Sequence, residues 1–244
     1  MDAASEPSSH GENVRQMFDA ITADYDRMNA VMTLGRHAAW CAEVARRAQL
    51  PADGHLLDLA TGTGVIAQAA RRQYPSARIT AGDFSQAMLD LAARRPGAES
   101  IVWEQMDANE LAYEDESFDA VTQGYLLRNV EDVEGVLREQ YRVLRPGGRV
   151  VVLETCPPRG ILKLPVALGM RTVIPLSGRL LAGNRTAYSY LARTSLGFAR
   201  PEQVATTLER VGFTDVGWRR RFLTTNMILW ARKPGSATDA PAQP

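Results

Sequence analysis

The sequence predicts an α/β fold in which a doubly wound, mostly parallel sheet of seven strands is covered by helices on both faces. Three observations support this prediction. Short apolar runs alternate with amphipathic helical segments along most of the chain. A glycine-rich turn, residues 61–64, follows the first apolar run. Asp83 ends the second run nineteen positions after Gly64, a spacing typical of nucleoside-binding strand pairs.

The predicted elements follow one another in a regular order. Strands are predicted at residues 55–59, 78–82, 100–105, 119–123 and 149–154, and then at 216–220 and 225–231. Helices are predicted between them at 65–73, 86–93, 133–144 and 202–211, and ahead of them at 13–34 and 36–50. Ser85 is a predicted N-cap, because a serine hydroxyl accepts a hydrogen bond from the first helical turn.

This order divides the chain into one domain and its additions. Residues 51–233 form the predicted α/β domain, preceded by a helical lid at 13–50 and a disordered N-terminus at 1–12. Residues 157–198 form a helical cap insertion after the fifth strand, expected above the carboxyl edge of the sheet. An extended core and a homodimer contact are the alternatives for this insertion. Residues 234–244, rich in alanine and proline, form a predicted disordered tail.

Composition narrows the class of protein. Twenty-eight basic residues balance 28 acidic ones, and phosphate binding needs a basic excess, so we expect no nucleic-acid partner. Two cysteines and three histidines, without a C-x-x-C pair, give little material for a metal site. Residues 1–10 lack the apolar core of a secretory signal, and charges interrupt the apolar runs before about 20 residues. The expected location is the cytoplasm.

Polar and small residues stand at the carboxyl ends of four predicted strands. In an open α/β sheet these ends converge where the strand order reverses, and ligands bind there. Glycine permits close approach of the backbone, and a carboxylate suits the paired hydroxyls of a ribose. Any single aspartate here also suits a turn or a helix cap. The candidate cofactor residues are Asp58, Gly62, Thr63, Gly64, Asp83, Asp107, Ala108, Gln123 and Gly124.

The glycine turn by itself leaves the cofactor open. Residues 62–67 also satisfy the G-x-G-x-x-A pattern of dinucleotide-binding loops, so an NAD-dependent dehydrogenase is one alternative. An ordinary strand-to-helix turn, which needs glycine only for its geometry, is another.

Several segments resemble a known family. They are Tyr25-Asp26-Arg27-Met28-Asn29, Leu34-Gly35-Arg36-His37 with Trp40, residues 57–64, Leu127-Arg128-Asn129-Val130, residues 141–148 and Tyr188-Ser189-Tyr190-Leu191. On these segments the chain resembles class I S-adenosylmethionine-dependent methyltransferases, and more narrowly the ubiquinone and menaquinone biosynthesis C-methyltransferase family. The resemblance implies a Rossmann-like methyltransferase fold, S-adenosylmethionine as cofactor, and C-methylation of a quinol-type or prenylated aromatic acceptor.

The resemblance also implies which residues meet which part of the cofactor. It assigns Thr63 with its flanking glycines to the methionyl part, Asp83 to the ribose, Asp107 and Ala108 to the adenine, Gly124 to the sulfonium, and Tyr25 to a lid that closes over the cofactor.

A ring carbon becomes nucleophilic when a neighbouring hydroxyl loses its proton, so the site needs a group that stabilises phenolate or accepts the proton. Arg128, just after the fourth strand, is the candidate for phenolate stabilisation, and an ion pair with Asp132 or Glu134 is the alternative. His37 is the candidate base, because histidine titrates near neutrality, and a packing role is the alternative. Tyr188 in the cap is a candidate hydrogen-bonding group for the acceptor, or a ring that fills the core.

Two departures from the family pattern concern the acceptor. Gly124-Tyr125-Leu126 replaces the usual Ser-Phe-Gly, and we expect Leu126 to narrow the ring site. Residues 223–226 replace a segment that is usually Leu-Thr-Gly-Gly. An O- or N-methyltransferase of small molecules is therefore an alternative. A non-catalytic S-adenosylmethionine-binding protein is another, because no pattern fixes an acid or a base.

The cap indicates a further partner. Residues 161–180 combine apolar side chains with Lys163, Arg171 and Arg179, as expected for peripheral contact with a membrane that holds a prenylated quinol. A packed cap helix with its basic residues in water is the alternative.

Overall fold

A seven-stranded sheet forms the centre of the fold. The computed structural model describes residues 9–161 and 163–235. The strands are β1 His55–Leu59, β2 Arg78–Asp83, β3 Val102–Gln105, β4 Phe118–Gly124, β5 Leu144–Thr155, β6 Thr214–Arg221 and β7 Asn226–Arg232. Their order is β3-β2-β1-β4-β5-β7-β6, and only β7 runs antiparallel to its neighbours. The predicted doubly wound, mostly parallel sheet is confirmed.

Helices pack on this sheet and above its carboxyl edge. They are α1 Ser9–Ile21, α2 Tyr25–Met32, α3 His37–Ala48, α4 Val65–Gln73, α5 Gln86–Ala93, α6 Val133–Val143, α7 Lys163–Ala182, α8 Arg185–Gly197 and α9 Pro201–Val211. Most predicted ends differ from these by one or two residues. The largest difference among the strands is in β5, which begins at Leu144 rather than at residue 149, because Leu144 already pairs with Phe118 of β4.

The N-terminal helices differ from the prediction in two respects. Helix α1 begins at Ser9, so residues 9–12 are helical although segment 1–12 is predicted to be disordered. The single helix predicted at 13–34 is split by a 3-10 helix, Thr22–Asp24. The Thr22 hydroxyl donates to the Phe18 carbonyl at 2.9 Å, a bond that bends helices. Residues 1–8 and 236–244, with most of the predicted tail, lie outside the described residues.

The two strands at the centre of the sheet are buried along most of their length. Residues 56–59 of β1 and 120–123 of β4 are buried. From these two neighbouring strands the sheet extends in opposite directions, to β2 and β3 on one side and to β5 on the other. The carboxyl ends of β1 and β4 therefore flank the point where ligands bind in this class of sheet.

The turn after β1 depends on glycine at two positions. Gly62 and Gly64 have positive φ angles of 55° and 79°. Gly64 is the N-cap of α4, and a Cβ at this position would lie 2.5 Å from the Trp103 ring. Glycine is therefore required at position 64 both by the backbone conformation and by the packing of the turn against β3.

Two side chains at the same edge begin helices. The Ser85 Oγ atom accepts a hydrogen bond from the Met88 N–H group at 3.1 Å, which confirms the predicted N-cap of α5. The Asp132 Oδ1 atom accepts one from the Gly135 N–H group at 2.8 Å and caps α6 in the same way. Each cap satisfies a donor that the first helical turn leaves open.

Gly64→Ala should lower the free energy of unfolding by about 3 kcal/mol, because it combines strain at positive φ with overpacking against Trp103. Gly97→Ala is the matched control. Gly97 has a φ of 82°, but a Cβ there meets no atom within 4 Å, so only about 1 kcal/mol of conformational cost is expected. Urea unfolding measures both variants, and equal losses would contradict the packing argument.

Candidate active site

A first cavity of about 350 Å³ lies at the carboxyl edge of the sheet. Its walls come from the ends of β1, β2 and β4, from the loop after β3, and from α1 and α2. Most of the predicted cofactor residues meet there. Those on its walls are Tyr25, Gly62, Asp83, Asp107, Ala108 and Gly124.

Asp83 joins two backbone segments at the edge of this cavity. Its Oδ2 atom accepts a hydrogen bond from the Gly62 N–H group at 2.7 Å, and its Oδ1 atom accepts one from Ser85 at 2.9 Å. Burial raises the pKa of Asp83, and these backbone hydrogen bonds oppose the rise. The carboxylate thus fixes the glycine turn to the end of β2 while it faces the cavity.

Two predicted cofactor residues lie inside their strands, behind the cavity wall. Asp58 is fully buried and accepts hydrogen bonds from the hydroxyls of Thr61 at 2.6 Å and Thr122 at 2.7 Å. Burial raises the pKa of Asp58 to about 6. Gln123 is also fully buried, and its Nε2 atom donates to Gln140 Oε1 at 2.9 Å. The hydrogen bonds of both side chains connect the strands behind the cavity wall to neighbouring elements of the core.

Thr63 and Gly64 also stand outside the wall of the first cavity, Gly64 because it packs on Trp103. The Thr63 hydroxyl donates to Asp26 Oδ1 of α2 at 2.6 Å, and Asp26 also pairs with Arg95. Asp26 therefore ties the N-terminal helices to the glycine turn. The resemblance includes Asp26 in the Tyr-Asp-x-Met-Asn segment, but no pattern within the sequence pairs it with Thr63.

A second cavity, of about 550 Å³, lies between α2, the cap helices α7 and α8, and the loop between β6 and β7. Its apolar wall residues include Val31, Met32, Val166, Met170, Ile174, Leu191 and Phe222. Its polar wall residues include Asn29, Arg128, Thr155 and Asn226. The predicted cap insertion thus forms one wall of a cavity above the sheet.

The two cavities share Tyr25 and Tyr125 in their walls. Tyr125 has a φ of 60°, a conformation that side chains seldom adopt. Its carbonyl accepts a hydrogen bond from Asn129 Nδ2 at 2.8 Å, and its hydroxyl donates to Asn226 Oδ1 at 3.2 Å. In the sequence Tyr125 stands out only as a departure from the family pattern after the fourth strand, and no motif assigns it to the site.

Arg128 lies in the wall of the second cavity as a buried cation. Its side chain is 5% exposed, and its NH1 atom lies 2.6 Å from Oε1 of the fully buried Glu154. Its guanidinium carbon lies 4.9 Å from the centre of the Tyr125 ring. Burial favours a lower pKa for Arg128, but the Glu154 carboxylate outweighs it and raises the pKa. Arg128 does form an ion pair, with Glu154 rather than with the predicted Asp132 or Glu134.

His37 stands outside the walls of both cavities. Its ring stacks on Tyr125 with centres 5.9 Å apart, and its Nε2 atom lies 3.5 Å from Cys41 Sγ. Burial lowers the pKa of His37 to about 4, so the imidazole is neutral at pH 7. The predicted base therefore packs against Tyr125, which lines both cavities, and does not itself line either one.

Tyr188 is likewise absent from both walls and is 1% exposed. It belongs to an apolar cluster with Ile21, Met28 and Leu191 that joins the N-terminal helices to the cap. Burial raises the pKa of Tyr188 to about 12. The ring fills a core, which is the alternative role stated for it above.

Leu126 occupies a different place from the one expected. It lines the first cavity rather than the second, and it packs in the main core at 9% exposure. It therefore shapes the cavity at the strand ends and not the cap cavity.

A doubly wound sheet with a glycine turn, an acid after β2 and a cavity at its switch point defines the class of Rossmann-like α/β proteins that bind nucleosides. Comparison with known proteins gives the family. The model of the ubiE/COQ5 methyltransferase family matches residues 6–231, and the chain belongs to this family. It is an S-adenosylmethionine-dependent methyltransferase, which excludes the dehydrogenase and the non-catalytic alternatives.

Individual relatives agree with this assignment. The chain is 46% identical over 226 residues to the ubiquinone/menaquinone biosynthesis C-methyltransferase of Desulfotalea psychrophila, covering 92% of each protein. It is 40% identical over 224 residues to the demethylmenaquinone methyltransferase of Deinococcus radiodurans, covering 90% of this chain and 92% of the relative.

Two solved structures show the same fold. The cyclase SpnF has a TM-score of 0.71 and 22% identity, over 96% of this chain and 100% of SpnF. A possible histamine N-methyltransferase from Thermotoga maritima has a TM-score of 0.63 and 18% identity, over 90% of this chain and 99% of its own. At these identities the likeness concerns the fold alone.

Proposed function

We propose that this protein transfers a methyl group from S-adenosylmethionine to a ring carbon of a quinol-type acceptor that carries an apolar chain. One observation carries the proposal: a cavity with acids and glycines and a larger apolar cavity with a buried cation meet at Tyr25 and Tyr125. Two relatives, named ubiquinone/menaquinone biosynthesis C-methyltransferase and demethylmenaquinone methyltransferase, support the class of acceptor.

The first cavity fits the cofactor. Bound S-adenosylmethionine supplies a methyl group that a positively charged sulfur has already activated. Asp83 and Asp107 present carboxylates beside an apolar surface that includes Met106 and Ala108, which suits a ribose next to a flat base. A Cβ at Gly124 would lie 3.1 Å from Ile66, so glycine lets the end of β4 pack closely against α4 beside the cavity.

The second cavity fits an aromatic acceptor with an apolar chain. Arg128 stabilises a negative charge on a ring oxygen, and the carbon next to that oxygen becomes the nucleophile. Among the described residues on its walls there is no histidine, aspartate or glutamate. The site therefore favours ionisation of the acceptor hydroxyl by a fixed cation, and the hydroxyl proton leaves to solvent. The ring carbon takes the methyl group as the bond from that methyl to sulfur breaks, and S-adenosylhomocysteine is the leaving group. The same carbon then loses its hydrogen as a proton, which the ring oxygen or solvent accepts, and the ring regains aromaticity. The apolar residues of α7 and α8 hold the chain and exclude water.

Asp83→Asn should weaken S-adenosylmethionine binding by about tenfold or more, because it removes the charged acceptor at the cofactor cavity. Asp53→Asn, on an exposed turn, is the control and should bind as the unsubstituted protein does. Titration calorimetry gives both dissociation constants. A folded Asp83→Asn protein with unchanged affinity would remove Asp83 from the ribose site.

Arg128→Lys should lower kcat by about 100-fold, because an ammonium group keeps the charge but loses the planar fork that faces the acceptor. The dissociation constant for S-adenosylmethionine should stay close to its original value, since Arg128 is absent from the first cavity. His37→Phe keeps a ring on Tyr125 and should retain turnover. Equal losses of kcat and cofactor affinity in Arg128→Lys would point to a structural role.

We further propose that the cap contacts a membrane surface. Helix α7 carries basic residues and no acid, and apolar side chains on and before it are exposed, with Ile161 at 95%, Leu164 at 78% and Leu180 at 72%. Other residues of α7 line the second cavity, so an apolar chain has a path from lipid to the ring site. No helix in the described part of the chain has the length and hydropathy of a membrane-spanning segment.

The double variant Leu164→Glu/Leu168→Glu should reduce binding to vesicles of phosphatidylglycerol and phosphatidylcholine by about tenfold or more, because two exposed apolar anchors become anions. Val102→Glu alters an exposed apolar residue on β3 and serves as the control. Co-sedimentation measures binding, and equal binding of all proteins would contradict the proposal. Sedimentation without vesicles tests the alternative that the cap forms a homodimer.

A further inference from the structure

Two residues in the wall of the second cavity are bonded to each other although they lie 101 positions apart in the sequence. The Tyr125 hydroxyl donates to the Oδ1 atom of Asn226 at 3.2 Å. Burial raises the pKa of Tyr125 well above its ordinary value, so the hydroxyl keeps its proton and acts as the donor. Tyr125 also lines the first cavity, so this bond begins where the two cavities meet.

The order of the strands explains why the two residues meet. Tyr125 follows β4, Asn226 begins β7, and β5 lies between these two strands. The Tyr125 N–H group donates to the Leu153 carbonyl of β5 at 2.7 Å, and Asn226 is the register partner of Thr155 in β5. The bond therefore joins the neighbours of β5 to each other at its carboxyl end. Thr155, the last residue of β5, is also in the cavity wall.

The Asn226 amide is held by its nitrogen as well. Its Nδ2 atom donates to Thr225 Oγ1 at 3.0 Å, and the Thr225 hydroxyl donates to the Phe222 carbonyl at 2.8 Å. Residues 222–224 have positive φ angles of 37°, 49° and 62°, which such side chains seldom adopt. A chain of hydrogen bonds thus extends from Tyr125 to a strained loop between β6 and β7, and this loop contributes to the cavity wall.

The three polar side chains of this chain stand where the sequence departs from the family pattern. Tyr125 occupies a position that is usually phenylalanine, and Thr225 and Asn226 occupy two positions that are usually glycine. In the sequence these are two separate departures, and the fold joins them into one feature. Added side-chain volume is therefore present in the wall of the second cavity, and hydrogen bonds fix its position.

We propose that Tyr125 and Asn226 are a specificity-determining pair, and that they limit the width of the ring system that the acceptor cavity accepts beside the cofactor site. This inference rests on the proposed function and adds selection by ring width to it. A wider ring would have to displace the pair and leave a buried donor and a buried acceptor unpaired, which is costly. An apolar wall without such bonds yields more easily.

Binding of 1-naphthol and phenol tests the inference without turnover. The variant Tyr125→Phe/Asn226→Ala removes both bonded groups together, so neither is left unpaired and the wall gains space. Its preference for 1-naphthol over phenol should rise by about tenfold, the effect of at least one methylene-sized change in an apolar pocket. Ser195→Ala removes a hydroxyl from the cap wall of the same cavity and should keep the original preference. An unchanged preference in the folded double variant would overturn the inference.

A second variant tests the opposite direction and covers the case in which the double variant does not fold. Asn226→Gln keeps an amide oxygen for the Tyr125 hydroxyl but adds one methylene group to the wall. Its preference for 1-naphthol over phenol should fall by about tenfold. A preference that stays the same or rises would also overturn the inference.

The measurements separate selection by ring width from a structural role and from the proposed function. Circular dichroism and thermal unfolding establish that each variant is folded. A pair that only stabilises the fold would lower the unfolding temperature of the variants and leave the preference between the two probes unchanged. Failure of the unsubstituted protein to methylate a demethylated naphthoquinol would instead refute the proposed function, and the two binding preferences would still test the pair.

Discussion

Burial of a cation is costly unless an anion compensates its lost hydration, and Glu154 does this for Arg128. The bond between them joins the segment after β4 to the end of β5, and Glu154 also accepts hydrogen bonds from the backbone of Arg128 at 3.3 Å and of Thr155 at 2.7 Å. Loss of either partner would leave a buried charge unpaired, which is far more costly than loss of an exposed pair. The pair thus keeps the Arg128 guanidinium group in place in the wall of the second cavity.

The boundary between the two cavities depends on this arrangement. Tyr125 keeps a positive φ because Asn129 and Asn226 hold its carbonyl and its hydroxyl, while Arg128 lies over its ring. Such a conformation persists only where its surroundings determine it, and it is typical of functional sites. Tyr25 belongs to α2, and the next residue of this helix, Asp26, accepts a hydrogen bond from Thr63 in the glycine turn. Tyr125 therefore follows β4 at the sheet edge, and Tyr25 begins α2.

The sheet and its first cavity do not by themselves determine the reaction. SpnF, which shares the fold with a TM-score of 0.71 at 22% identity, is named a cyclase. A shared α/β scaffold can support different chemistry, because function lies in residues added to the scaffold. In this chain the cap, α2 and the loop between β6 and β7 are added to the scaffold and line the second cavity.

The sequence by itself determined the sheet, the glycine turn and the positions of Asp83 and Gly124, because periodicity is local and parallel strand ends converge by topology. The sequence could not show that the side chains of Asp58 and Gln123 are buried behind the cavity wall. Each residue lies one position before a strand end, and its side chain is fully buried rather than at the edge. Only the tertiary structure shows that Arg128 pairs with Glu154, which is 26 positions away in the sequence. Only the tertiary structure shows that His37 and Tyr188 line neither cavity. Side-chain direction and distant partners depend on packing, and packing is a property of the whole chain.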